Sequence, residues 1–338
     1  TEQYFKTAPD NPTLFGQQQY GSVNHLWHSP DFEKSSGNEL PEEYKATIMN
    51  ARKTLNDSIV KLREEHGSAG SVQVAGQAHI DYAWLWPIDE TKRKIRRTFA
   101  NALRLMEKYP EFVYIQSSAQ MYKDLKENDP ELYERVRESI ARGSWEAIGG
   151  MWVESDCNIS SAESLARQFL YGQKFFEEEF GIRSSVAWLP DVFGFSWILP
   201  QIMKEAGIKY FSTTKLKWNE KNRFPFDLFR WRGLDGSEIV CHFFDNPQGG
   251  YNGMVNPEAI IGTWDNFQNK QIYNKTVTTF GYGDGGGGPT DEMLEYYERL
   301  KNYPGMPSLE MAPLQKYYEN LPKDSELPVW DDELYFEL

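Results

Sequence analysis

The stretch that decides the fold is Val72-Gln73-Val74-Ala75-Gly76-Gln77-Ala78-His79-Ile80-Asp81. Val72 to Ala78 is a short β-type run, and it breaks into a loop that carries a histidine and an aspartate two residues apart. A helix follows from about Glu90, with Ile95, Phe99, Leu103 and Met106 on one face and Pro110 at its end. Strand, loop and helix recur downstream. Phe112–Ile115, Trp145–Ile148, Ser185–Leu189, Tyr210–Thr213 and Thr276–Phe280 read as strands. Helices are expected from Pro130 to Gly143 behind an Asp129 cap, after Ser161, over Ile198–Ala206 and over Thr290–Asn302. Phe226 to Phe244 reads as two strands joined by the Asp235-Gly236 turn. Such alternation predicts an α/β fold with a parallel sheet or barrel.

In parallel α/β folds active sites form beyond the C-terminal ends of the strands. Three segments place chemistry there. In extended backbone residues i and i+2 point the same way, so His79 and Asp81 offer an imidazole and a carboxylate to one point. Those donors suit a divalent metal, zinc first. Trp188-Leu189-Pro190-Asp191-Val192-Phe193-Gly194 sets one carboxylate in apolar surroundings, where an acid is costly without a partner. Gly281-Tyr282-Gly283-Asp284 leads into four glycines, a loop that permits close backbone approach to a ligand. That loop lacks the Lys-Ser/Thr pair of a phosphate-binding loop. Two carboxylates and a metal pair on one rim point to hydrolysis.

The bulk composition is compatible with this. The 338 residues are 40% hydrophobic and 15% aromatic, ample for a packed core. A net charge of −14 argues against nucleic acid as a partner. No apolar run approaches the roughly 18 residues needed to span a bilayer, so no membrane role is expected. Cys157 and Cys241 cannot form a disulfide framework and read as buried thiols. A cytoplasmic location is the default expectation. Residues 1–70 read as an irregular and helical lead-in, with Tyr44, Ile48, Leu55, Ile59 and Leu62 at helical spacing before Gly67. Residues 71–338 read as the catalytic domain.

The His79-Ile80-Asp81 segment with Trp84, and the segment from Trp188 to Gly194, together resemble the glycoside hydrolase family 38 α-mannosidases. The run from Gly281 to Thr290 is similar to the bacterial and cytosolic branch of that family, and Trp231 to Ser237 also has a counterpart there. The resemblance implies a seven-stranded-type (β/α) barrel and zinc-dependent, retaining hydrolysis of terminal α-mannosides from an oligosaccharide or glycan. It implies that His79, Asp81 and Asp191 hold zinc. Asp191 is then also the nucleophile, Asp284 the candidate general acid/base, and Trp84 and Phe193 line the mannose pocket. It allows a homodimer for the full-length protein.

The family's fourth zinc ligand is a second histidine well downstream of the acid/base. Of His25, His28, His66, His79 and His242, only His242 follows Asp191, and it comes too early to match. His242 reads as a strand residue beside Cys241. The expectation is therefore a truncated catalytic domain, C-terminally incomplete, with weak zinc binding and little turnover. Two other classes compete. One is a metal-dependent polysaccharide deacetylase-like hydrolase, which the shortage of histidine disfavours. The other is a non-catalytic carbohydrate-binding domain, which three acidic strand-end motifs exceed.

Overall fold

The computed structural model describes residues 42–321 and 326–337. The chain divides into two compact units, Thr1–Gly67 and Ser68–Leu338. In the first unit a helix spans Glu42–His66 (α1), with Glu42 and Glu43 in its first turn and Arg63 and His66 in its last, as the helix dipole favours. None of its residues is buried, so the apolar spacing predicted the helix but not a core face. The irregular lead-in expected up to residue 40 lies outside the described residues.

The second unit is mixed α/β, with two five-stranded sheets. The first sheet is built on Ser71–Gln77 (β1), which the sequence pattern places within a residue. Tyr114–Gln116 (β2), Trp145–Ala147 (β3), Lys275–Phe280 (β8) and Ser308–Met311 (β9) complete it. Every pairing in it is parallel. One edge of β1 pairs with β8 along its length. Its other edge pairs with β9 at Ser71–Val74 and with β2 at Gly76 and Gln77. The second sheet runs Val329–Trp330 (β10), Leu228–Arg232 (β6), Glu238–Phe243 (β7), Tyr210–Thr213 (β5) and Val186–Trp188 (β4). Only β6 and β7 are antiparallel, and they form the hairpin predicted around Asp235-Gly236. Gly149, just past β3, donates to Val186 O in β4, and His242 in β7 meets Thr276 Oγ1 in β8 at 3.1 Å.

The helices form where local signals ask for them. Ile88–Lys108 (α2) buries Ile95, Phe99 and Leu103. Pro130–Arg142 (α4) starts on an Asp129 carboxylate that accepts from Leu132 N, and it stops at left-handed Gly143. Ala162–Phe180 (α5) is capped by Ser161 and ends at left-handed Gly181. Leu199–Glu205 (α6) and Asp291–Leu300 (α8) follow the pattern, the latter capped by Thr290. Ala119–Asn128 (α3), Pro257–Asn266 (α7), Leu314–Glu319 (α9), β9 and β10 are additional to the predicted elements. Trp145 packs edge-on against Tyr114 and Phe99 at 4.5 and 4.9 Å. Its indole donates to Tyr122 Oη, whose hydroxyl donates to Gln116 O, so these buried rings keep their polar ends satisfied. Cys157 and Cys241 are free and buried. Among the described residues no helix is long and apolar enough to cross a membrane.

Asp291, at the start of α8, ties that helix to α2 through Arg104 and Lys108, each at 2.7 Å. The Arg104 guanidinium, helped by Lys108, holds Asp291 at about 2. A carboxyl depressed in this way stabilises the fold above its ordinary value of 3.8 and loses that contribution as pH falls toward 2. Because these ion pairs are partly exposed, Asp291→Asn is expected to lower the thermal midpoint by only about 1–3 °C at neutral pH. Melting curves taken between pH 7 and pH 2 should show the gap from wild type closing below about pH 4.

Candidate metal and catalytic centre

The parallel strands deliver their loops to one place. His79 and Asp81 follow β1, Asp191 follows β4 and Asp284 follows β8. One ligand atom from each of these four residues lies within 4.8 Å of every other. Three of the residues follow strands of the first sheet and one follows a strand of the second, so the centre draws on both. The His79 ring is buried, at 5% exposure, and its Nε2 lies 3.4 Å from both Asp81 Oδ1 and Asp191 Oδ2. That nitrogen has no hydrogen-bond partner. A buried ring nitrogen facing two carboxylate oxygens is a donor set that fits a divalent cation.

Backbone pairing fixes the register of the centre. Asp81 N donates to Asp284 O at 3.0 Å, Gly286 N donates to His79 O at 3.2 Å, and Ile80 and Gly285 form an antiparallel bridge. The glycine-rich loop is thus laid along the His-x-Asp segment. Asp284 itself is left-handed, at φ 57°, a conformation aspartate tolerates better than most residues. Its Oδ1 accepts from Tyr251 Oη and Asn252 Nδ2, both at 3.1 Å. Glycine is needed before it, because a Cβ on Gly283 would fall 1.6 Å from Asn252 Oδ1.

Residues 69–333 match the Glycosyl hydrolases family 38 N-terminal domain. The chain belongs to that family. It is 43% identical over 277 residues to Alpha-mannosidase G of Dictyostelium discoideum and 45% identical over 277 residues to Alpha-mannosidase 2C1 of Homo sapiens. Each match covers 81% of this chain but 25% and 26% of those proteins, so the chain spans about a quarter of their length. In fold it resembles an alpha-mannosidase from Enterococcus faecalis V583, with a TM-score of 0.62 at 21% identity, over 78% of this chain and 31% of that one.

The candidate centre of this family 38 chain is crowded with charge. Burial opposes a charged His79, but Glu154, with Asp191 and Asp81, outweighs it and pushes the imidazole up to about 10. Burial likewise opposes an ionised Asp191, but His79 and Lys215 hold its carboxyl below the usual range. Lys215 is 1% exposed, and its ammonium pairs with Asp191 Oδ1. It is enclosed by aromatic faces, 3.8 Å from the Trp218 ring centre and 4.3 Å from that of Phe193. Tyr251 stands edge-on to His79 at 5.0 Å.

A cavity of about 170 Å³ opens here, lined by His79, Asp81, Asp191 and Phe193 together with Glu154 and Asp156. Phe193 is half exposed at its mouth. Trp84 is also exposed, on the loop after Asp81, and packs edge-on to Trp86 rather than lining this cavity. His242 is fully buried in β7, away from the four clustered residues. Glu154, Lys215 and Tyr251 were not singled out in the sequence. Each follows a strand of the same rim (β3, β5 and β7), so extending the strand-end search to every polar residue finds them.

Lys215 gives a test of the charge balance. Removing one partner of a buried ion pair costs roughly 3–5 kcal/mol, and the 18% exposure of Asp191 reduces that. Lys215→Met is expected to lower the unfolding temperature of the metal-free protein. An added divalent cation should restore more of the variant's loss than it adds to wild type, since it resupplies positive charge beside Asp191. Equal metal-induced shifts in both proteins would contradict this account.

Proposed function

We propose that this chain carries the zinc and catalytic residues of a retaining α-mannosidase that removes terminal α-linked mannose from a glycan. The observation that carries the reading is the convergence of His79, Asp81, Asp191 and Asp284 within 4.8 Å, in a chain of family 38 whose relatives are named alpha-mannosidases. One oxygen of Asp191 and one of Asp284 lie within 4.8 Å of each other, which supports the close spacing of retaining enzymes, about 5–5.5 Å, over the wider gap of inverting ones. We further infer that the two sheets belong to one seven-stranded barrel covering residues 71–338. The hydrogen bonds from Gly149 to β4 and between His242 and Thr276 support that reading.

In this mechanism His79, Asp81 and Asp191 would hold zinc, which would supply a fixed positive charge beside the nucleophile. The chain's own groups do the rest. Lys215 keeps Asp191 ionised, so its carboxylate can attack the anomeric carbon. Asp284, fixed by Tyr251 and Asn252, gives a proton to the leaving glycosidic oxygen and then takes one from water. Phe193, half exposed at the cavity mouth, offers an apolar face to the sugar ring.

The clustering of Asp284 with the other three also favours a second reading, in which Asp284 is a metal ligand. One variant separates the two. As acid/base, Asp284→Ala should keep bound zinc near one per chain, yet hydrolyse mannosides with poor leaving groups about 10²–10⁴-fold more slowly. Activated aryl α-mannosides should suffer far less. Zinc lost from Asp284→Ala, measured by mass spectrometry after dialysis, would make it a ligand instead. Asp81→Ala should lose zinc under either reading, and retention there would reject the centre itself.

A further inference from the structure

Glu154 is an acidic residue of this centre to which neither metal binding nor sugar chemistry has yet been assigned. It lies in the loop after β3, and its Oε2 is 3.5 Å from His79 Nδ1. It therefore faces the ring nitrogen that Asp81 and Asp191 do not. Its other oxygen accepts the Ser117 hydroxyl at 2.5 Å, while Oε2 is buried with no hydrogen-bond partner. One end of the carboxylate is anchored and the other is aimed at the imidazole.

The loop that carries it is tied on both sides. Val153 N donates to the Gln168 side chain and Trp152 N to Gln168 O, both at 2.9 Å, which fastens it to α5. Trp152 Nε1 donates to Gln120 Oε1 at 2.8 Å, which fastens it to α3. The helix also lies tight against the preceding turn, where a Cβ on Gly172 would fall 2.4 Å from Gly150 O. Glu154 is therefore held by the scaffold and not by the metal ligands.

We propose that Glu154 is a positioning residue that fixes His79 for the metal, the deepening of the zinc centre proposed above and resting on it. A neutral imidazole carries one N–H. A carboxylate at Nδ1 keeps that hydrogen there and leaves the Nε2 lone pair pointing toward Asp81 and Asp191. Tyr251, edge-on to the same ring, limits its rotation. Glu154 also adds a negative charge close to the cation without occupying a coordination position.

The test is zinc affinity of the full-length protein, stripped with chelator and titrated against a chromophoric competitor, alongside the thermal midpoint of the metal-free form. Glu154→Ala is expected to weaken zinc binding about 10–100-fold. Ser117→Ala, which frees one oxygen of the anchor, should lose less. The metal-free midpoint of Glu154→Gln, which keeps the volume, should not fall, whereas its zinc affinity should. That combination distinguishes positioning from a merely structural role, and Glu154→Gln carries the test if the alanine variant fails to fold. Zinc held as tightly by both Glu154 variants as by wild type, while His79→Ala loses it, would overturn the role of Glu154 alone. Zinc retained by His79→Ala, or not taken up by wild type, would overturn the metal centre and this inference with it.

Discussion

One buried imidazole among carboxylates is the constraint on which the rest of this molecule turns. His79 has Asp81, Asp191 and Glu154 within 3.5 Å, and Asp284 belongs to the same cluster. Carboxylates at such range repel one another, and burial strips away the water that would screen them. Positive charge has to be placed among them. Lys215 supplies one such charge from beneath, shielded by Trp218 and Phe193. A second sits on His79, whose proton is held far more tightly than in water. A divalent cation at Nε2 would have to displace that proton and would bring more charge to the same point.

A crowded centre of this kind needs rigid backbone, since a small displacement changes every charge–charge distance. The fold meets that need with parallel strands that end together and loops that hydrogen-bond to one another. The loop after β8 runs beside the loop after β1, so Asp81 and Asp284 are joined through backbone atoms. Thr98 of α2 donates to Gly286 O from the other side. Tyr251, which follows β7 of the second sheet, reaches two residues of the first, touching His79 with its ring and Asp284 with its hydroxyl. The loops after β1 and β8 are therefore fixed by backbone hydrogen bonds although they belong to no strand or helix.

Much of this was legible in the sequence because it is local. The strand of Tyr210–Thr213, the Asp129 and Ser161 caps and the hairpin at Asp235-Gly236 each rest on a few neighbouring residues. Helix α3 was not, since it starts behind Ser118 at a φ of 70° and its N-cap makes no side-chain hydrogen bond. Strands β9 and β10 are defined by partners far away in sequence, β1 and β6. The four clustered residues were readable because an acid or histidine directly after an apolar run is unusual. Glu154 stands seven residues beyond β3, and Lys215 is a lysine, a type that is almost never buried without a partner. Their meaning comes from what they face, which only the folded chain reveals.

The asymmetry between Asp191 and Asp284 bears most directly on chemistry. Two carboxylates in one site need different environments if one is to attack and the other to carry a proton. Here the cations stand against Asp191: Lys215 on Oδ1 and His79 on Oδ2. Asp284 is held by a phenol and an amide, both neutral donors. A metal bound by Asp191 deepens that difference, whereas a metal bound equally by Asp284 would erase it. The same carboxylate cannot neutralise a cation and also keep a proton for the leaving oxygen. The proposed ligand and acid/base roles of Asp284 are for that reason mutually exclusive.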